Sequence, residues 1–239
     1  MARPTEHEVL AAVLQIRCGS LQVLAWQRAL PPDSGRWSLP GGLLGDDEDV
    51  EQSVRRQLAE KVDLGEVTHV EQLGVFSRPD RVPDVRRVAT AFLGLVPSDA
   101  DPAVPPDTQW HPLAALPPTA FDHAAIVADA HDRLRAKLSY TNLGFALAPR
   151  EFTISALRDL YVAALGHPVS ATNLQRVLTR RQVLEPTGAV APPGPAGGRP
   201  AALFRFTDHV LRVTDAFAVL RPPTGPPSGP GEATRVVVP

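Results

Sequence analysis

The sequence predicts an α/β chain in two parts: strands built round one charged helix, then two short helices followed by a β-hairpin. Three observations carry that expectation. Aliphatic runs at residues 11–17, 21–27, 67–76 and 87–96 have strand length and composition, and a single amphipathic helix ending near Val62 lies between the second and third. Residues 153–182 read as two capped helices joined by Gly166-His167-Pro168, the short connection that a helix-turn-helix requires. Charge is uneven, since the whole chain is −2 while residues 144–213 hold eight arginines against four carboxylates, or +4, leaving −6 elsewhere.

Taken in order, Cys18-Gly19-Ser20 reads as a hairpin turn, with Cys18 expected as a buried, inert thiol. Asp46 and Asp47 are placed to cap the charged helix. A Pro-rich charged stretch, 77–86, joins the third and fourth strands, and 97–106 reads as a surface loop before a short strand at 109–113. Thr119 is placed to cap a helix running to about Ser139, in which Ile126, Val127, Ala130 and Leu134 fall at apolar helical spacing. Phe121-Asp122-His123 at its start is either a ligand contact or a cap beside a packed aromatic.

The expected division is 1–139 as a first domain, 140–220 as a second, and a disordered Pro/Gly-rich tail over 221–239. In the second domain Thr153 caps a helix that Gly166 stops, and Ser170 caps another over 171–182 with Leu174, Val177 and Leu178 inward. Residues 183–186 and 201–206 then read as strands around a Gly/Pro-rich loop, completing the parts of a winged helix.

Composition sets outer limits. With 44% hydrophobic residues the chain has ample material for a packed core. Its single cysteine excludes an intramolecular disulfide framework and a multi-cysteine zinc site. Nothing reads as a signal peptide or a membrane span, so a cytoplasmic location without a membrane partner is expected.

Residues 42–64, GLLGDDEDVEQSVRRQLAEKVDL, resemble the Nudix box G-x5-E-x7-R-E-U-x-E-E-x-G-U, in which U is a bulky aliphatic residue. Gly42, Glu48, Arg56, Leu58, Glu60 and Leu64 match in register; Gln57 and Lys61 replace glutamates, and Asp63 replaces the glycine. The lead-in Trp37-Ser38-Leu39-Pro40-Gly41-Gly42 resembles the family independently, and its glycines suit a tight turn where backbone approaches a ligand. Positions 57, 60 and 61 share one helix face, which in a working box carries carboxylates for Mg²⁺ or Mn²⁺. Here that face offers an amide, one carboxylate and an ammonium, so neither a metal site nor hydrolysis is expected.

The polar side of the 171–182 helix holds Thr172, Asn173, Gln175, Arg176, Thr179, Arg180 and Arg181. Arginine reads guanine bidentately and asparagine or glutamine reads adenine, so the face is either a recognition helix or an ordinary basic solvated one. Arg199, between Gly198 and Pro200, is placed for a phosphate or a minor groove. Lys137, one of two lysines, either touches a DNA phosphate or covers its helix.

Over about residues 8–210 the degenerate box, RLRAKLSYTN, FTISALRDLYVAALG, NLQRVL, EPTG and GGRPAALFRF together resemble the Nudix-related transcriptional regulators of NAD metabolism, the NrtR family. That resemblance implies a Nudix α/β/α sandwich followed by a winged helix-turn-helix. It also implies a homodimeric repressor of NAD biosynthesis or salvage genes that binds a palindromic operator. The effector would be ADP-ribose or a related metabolite, with no cofactor required. On that reading the former catalytic pocket holds the effector through Trp37, Gly41, Gly42, Arg56 and Glu60, Trp37 stacking or packing. Arg56 either meets phosphate or pairs with Glu48 or Glu60. The rivals are an ADP-ribose pyrophosphatase that recruits Asp46, Asp47 or Glu51, and a ligand-dependent protein-interaction module.

Overall fold

A computed structural model describes residues 4–62, 67–192 and 200–215; the predicted tail, Arg199 and the Lys61 side chain lie outside the described residues. Strand β1 (Glu6–Arg17) is the centre of a mixed sheet. It pairs antiparallel with β2 (Ser20–Gln27) and β4 (Gly41–Leu43), and parallel with β6 (Arg87–Leu95). β3 (Trp37–Ser38) and β7 (Thr108–Pro112) pair with β2, and β5 (His69–Phe76) pairs with β6.

Alternation along β1 sends Val9, Ala11 and Val13 to one face and Leu10, Ala12, Leu14 and Ile16 to the other. Both sets are buried because both faces are covered, which is why the strand reads as a continuous apolar run. On the first face, α1 (Val50–Val62) contributes Val54 and Leu58. On the second, α2 (His123–Tyr140) contributes Ile126, Ala130, Leu134 and Leu138, spaced one turn apart. The result is the three-layer sandwich that the resemblance implied.

Two local expectations are corrected. Cys18 is exposed, because it and Gly19 take positive φ angles of 49° and 73° at the tip of a two-residue hairpin turn. The cap of α1 is Asp49 rather than Asp46 or Asp47. Asp49 Oδ1 accepts from the Gln52 amide at 2.8 Å and Gln52 Oε1 accepts from the Asp49 amide at 2.9 Å, a reciprocal capping pair. Helix α2 starts at His123, and Thr119 does bond its first turn as expected, its Oγ1 accepting from the Ala124 amide at 3.1 Å, while Asp122 sits at the N-cap without a capping bond because its carboxylate is held by Arg81.

In the second half, Thr153 accepts from the Ala156 amide to open α3 (Ile154–Leu165), and Gly166, at φ 74°, ends it in the left-handed conformation. Ser170 caps α4 (Ala171–Arg180) through the Asn173 amide. Strand β8 (Leu184–Val190) then pairs with β9 (Ala202–Phe206). β8 runs to Val190 rather than stopping at Pro186, because a register shift between those residues carries the chain through Gly188 at φ 81°.

One buried cluster spans both halves. Leu143, Phe145 and Leu147, in a turn after α2, join Leu10 and Ile126 on one side to Leu157, Leu174, Leu178 and Phe206 on the other. Leu143, Leu147, Leu157 and Leu178 are each fully buried, worth about 1.5–3 kcal/mol apiece. Polar bonds reinforce the joint: Thr68 Oγ1 donates to the Ala146 carbonyl at 3.0 Å, and His131 Nε2 lies 2.8 Å from the Ala164 carbonyl of α3. Among the described residues no helix is long and apolar enough to cross a membrane.

Candidate effector cavity and nucleic-acid face

The turn from β3 into β4 places Gly41 and Gly42 at a cavity of about 170 Å³ that also meets Trp26, Arg28, Phe121 and His123. A Cβ on Gly41 would overlap the Val9 carbonyl of β1, so glycine is required for the close approach of the two strands. Of the five residues expected to hold a ligand, only Gly41 and Gly42 line this cavity. Trp37 packs edge-on against His111, with centroids 4.1 Å apart. Its place at the cavity is taken by Trp26, whose Nε1 donates to the Leu39 carbonyl at 3.1 Å.

Arg56 takes the second of the two roles read from the sequence. Its Nε donates to Glu48 Oε2 at 2.8 Å, a second bond goes to the other Glu48 oxygen, and Nη1 reaches Glu60 at 3.2 Å. The Arg56 guanidinium, followed by the Gly45 amide, holds the Glu48 carboxyl down at about 2. Gln57 is buried beneath Gly42, and with its amide oxygen turned toward Arg56 it accepts from the guanidinium at 3.2 Å. Glu51 pairs with Arg55 at 3.0 Å, and Asp46 and Asp47 stand exposed in the loop before α1. A divalent cation does not fit this donor set: Gln57 brings an amide, Glu60 is tied to Arg56, and among the described residues no three acidic, histidine or cysteine side chains converge.

Sequence reasoning missed Arg81. Its side chain is wholly buried between Glu8 and Asp122, bonding Asp122 at 2.7 and 2.9 Å. Burial opposes its charge, but the Asp122 and Glu8 carboxylates more than offset that and hold its pKa above the ordinary arginine value. Glu8 in turn reaches Arg87, which also pairs with Glu6. The one local hint was Glu8 itself, a carboxylate directly before the apolar run at residues 9–14 of β1.

In Phe121-Asp122-His123, Phe121 and His123 line the cavity, while Asp122 anchors Arg81 instead of capping the helix. Phe121 sits at φ 50°, a conformation that costs a residue with a side chain about 1–2 kcal/mol, and Asp33 holds it there by accepting from its amide at 3.0 Å. His123 is 3% exposed; its Nδ1 accepts from the Leu39 amide at 3.0 Å, and burial pushes its pKa down to about 4. A larger cleft of about 670 Å³ lies at the junction of the halves, lined by Thr68, Asp99, Phe145, Arg150 and His209.

On α4, Leu174 and Leu178 face the core while Thr172, Asn173, Arg176, Thr179 and Arg180 are exposed. Arg176 Nη2 donates to Asn173 Oδ1 at 2.8 Å, which holds these two exposed side chains together on one face of α4. Two other residues expected to meet DNA are engaged by carboxylates within the fold. Arg181 turns inward to Asp215 at 2.8 Å with only 11% of its side chain exposed, because it follows the last helical turn. Lys137 lies against the sheet, 2.7 Å from Glu71.

A Nudix sandwich sharing one core with a winged helix defines the class of Nudix-derived DNA-binding regulators. The NUDIX domain profile matches residues 7–130, and that of the NrtR DNA-binding winged helix domain matches residues 144–206. The chain is 31% identical over 205 residues, 82% of its own length and 79% of the other, to the ADPR responsive transcriptional repressor NtrR of Acinetobacter baylyi. The crystal structure of Shewanella oneidensis NrtR matches with a TM-score of 0.74 at 32% identity, over 84% of this chain and 94% of that one. The same protein complexed with a 27mer DNA gives 0.71 at 30% identity, over 84% and 93%. Its NUDIX domain complexed with ADP ribose gives 0.50 at 31% identity, over 56% and 90%. The chain belongs to the NrtR family of Nudix-related transcriptional regulators.

Proposed function

We propose that this protein is a transcriptional repressor of NAD biosynthesis or salvage genes, with a Nudix-derived domain over residues 1–139 that senses ADP-ribose or a related metabolite and a winged helix over 140–220 that binds operator DNA. The observation that carries the reading is α4. It offers an exposed row of Thr172, Asn173, Arg176 and Arg180, suited to base edges and phosphates, on a helix anchored by Leu174 and Leu178. The Acinetobacter relative is named as ADPR responsive, and the Shewanella relative has been solved with DNA and with ADP ribose. Those names support both partners for this chain.

In this reading the Nudix half holds its ligand without cleaving it. Gln57 and Lys61 stand where the box has glutamates, and Glu48 and Glu60 are engaged by Arg56. The working unit is a homodimer whose two α4 helices address the halves of a palindromic operator, and effector binding favours the arrangement that does not fit DNA.

The test is a gel shift with the upstream region of a neighbouring NAD-biosynthesis operon, with and without ADP-ribose, and an assay for AMP in the same tubes with Mg²⁺. Retarded DNA that ADP-ribose frees, without AMP, is the expected result. Steady Mg²⁺-dependent AMP release with no shift overturns the reading in favour of a pyrophosphatase.

A further inference from the structure

Three groups at the cavity each lack a partner of one kind among the described residues: the buried Ser38 hydroxyl, too short to reach beyond its strand, and the two larger groups Arg28 and His123. Arg28, just past the end of β2, is half-buried, with its guanidinium carbon 5.0 Å from the Phe121 ring and 5.9 Å from the Trp26 ring. Its Nε donates to the Pro32 carbonyl at 3.0 Å. Among the described residues no carboxylate pairs with it, whereas Arg56, Arg81 and Arg87 each hold two. The aromatic contacts fix the guanidinium plane and leave its outer N–H groups for a planar or tetrahedral anion.

His123 lacks an acceptor. Its Nδ1 accepts from the Leu39 amide, so the ring proton is on Nε2, and that buried Nε2–H has no partner among the described residues. Buried donors are nearly always bonded, so one left open beside a cavity points to a ligand oxygen. Size decides which part of the ligand goes where. A cavity of about 170 Å³ is well below the roughly 300–1,000 Å³ of a site that encloses a whole ligand of this class, so it takes only one ring. The strongly hydrated diphosphate stays at the half-buried arginine, and the sugar enters toward the buried imidazole.

We infer that Arg28 and His123 are the effector-recognition pair: the Arg28 guanidinium binds the diphosphate of a nucleoside diphosphate sugar, and the His123 Nε2–H donates to a ribose hydroxyl oxygen of the same molecule. This rests on the effector reading above. It moves the phosphate contact from the box residue Arg56 to a residue outside the box, and it uses a neutral donor for a neutral acceptor. The strained Phe121, packed 5.8 Å from the His123 ring and stacked with Arg28, ties the two groups into one unit.

Calorimetry with ADP-ribose on the full chain tests the pair. Arg28→Gln and His123→Asn should each weaken binding by about tenfold or more. The asparagine amide oxygen can still accept from Leu39, while its NH₂ falls short of the Nε2 position. Arg56→Gln serves as the contrast and should weaken binding less than Arg28→Gln. In the wild-type protein the ¹⁵N resonance of His123 Nε2 should move on adding ADP-ribose, a readout that stands even where His123→Asn fails to fold. Wild-type binding with both variants within about twofold of it, or with the Nε2 resonance unmoved, overturns the pair and leaves the effector reading intact. No binding of ADP-ribose by the wild type overturns both.

Discussion

Lys137 Nζ lies 2.7 Å from Glu71 Oε2, tying the last turns of α2 to strand β5, with 18% and 14% of the two side chains exposed. His69 Nε2 sits 3.1 Å from the same carboxylate oxygen. Burial pushes the Glu71 pKa up, but bonds from His69 and Lys137 outweigh it and leave the pKa at about 2. Lys137→Gln should therefore lower stability by about 1–3 kcal/mol. The signature is in its pH dependence. The Glu71 pKa is depressed from an ordinary 4.5, so its contribution is complete above about pH 5 and is lost as pH falls through 4.5 towards 2. Urea midpoints at several pH values should show the gap between wild type and Lys137→Gln at neutral pH, closing in acid; equal midpoints throughout would place Lys137 on the surface instead.

Arg181 and Arg180 are adjacent in sequence and should behave oppositely. Arg181→Ala breaks its largely buried pair with Asp215 and should cost about 2–3 kcal/mol of stability. Arg180→Ala and Arg176→Ala remove exposed groups, leave the melting temperature within about 2 °C, and weaken operator binding. A phosphate-contacting arginine lost from the face lowers the slope of log affinity against log salt by about one. Fluorescence anisotropy across a salt series, set beside thermal melts, separates the two classes. An Arg181→Ala protein with a normal melt and lost DNA binding would return Arg181 to the recognition face.

How much of this was legible follows the reach of each interaction. The Thr153 and Ser170 caps and the apolar rhythm of α2, α3 and α4 depend on residues within about four positions, and the box register on a fixed spacing along one short segment, so spacing alone exposes them. Arg81, Lys137 and Arg181 were missed or misread because their partners are distant: Glu8 is 73 residues from Arg81, Glu71 is 66 from Lys137 and Asp215 is 34 from Arg181. A cation judged from its own helix looks solvated, and only the packing of another element onto it decides otherwise. Trp37 takes the packing alternative, and the ring it packs on, His111, is just as remote in sequence, since it comes from β7.

Cys18 supplies a simple check on the hairpin. Its side chain is exposed at a turn position with φ 49°, which asparagine and glycine tolerate better than cysteine. The thiol of the native protein should react with a disulfide reagent at the rate of a free thiol, and Cys18→Asn should be neutral or stabilising by up to about 1 kcal/mol. A thiol that reacts only after unfolding would restore the buried reading taken from the sequence.

The neighbouring glycines of the cavity turn should differ sharply in what they tolerate. A Cβ at Gly41 would run into the Val9 carbonyl and lie 3.0 Å from the Leu10 Cα, both backbone atoms of the central strand, so the sheet itself must move. A Cβ at Gly42 would meet the Gln57 amide at 2.5 and 2.9 Å, the far end of a side chain that can swing aside. Gly41→Ala should therefore cost about 3 kcal/mol or more, and Gly42→Ala about 1–2 kcal/mol. Gly42→Ala should be partly rescued by Gln57→Ala, which removes the colliding amide, whereas Gly41→Ala should gain nothing from that second change. A double-mutant cycle read by denaturant midpoints decides the point, since the coupling between 42 and 57 must be favourable and that between 41 and 57 near zero. Equal coupling at both glycines would mean that α1, rather than β1, sets the approach of this turn to the cavity.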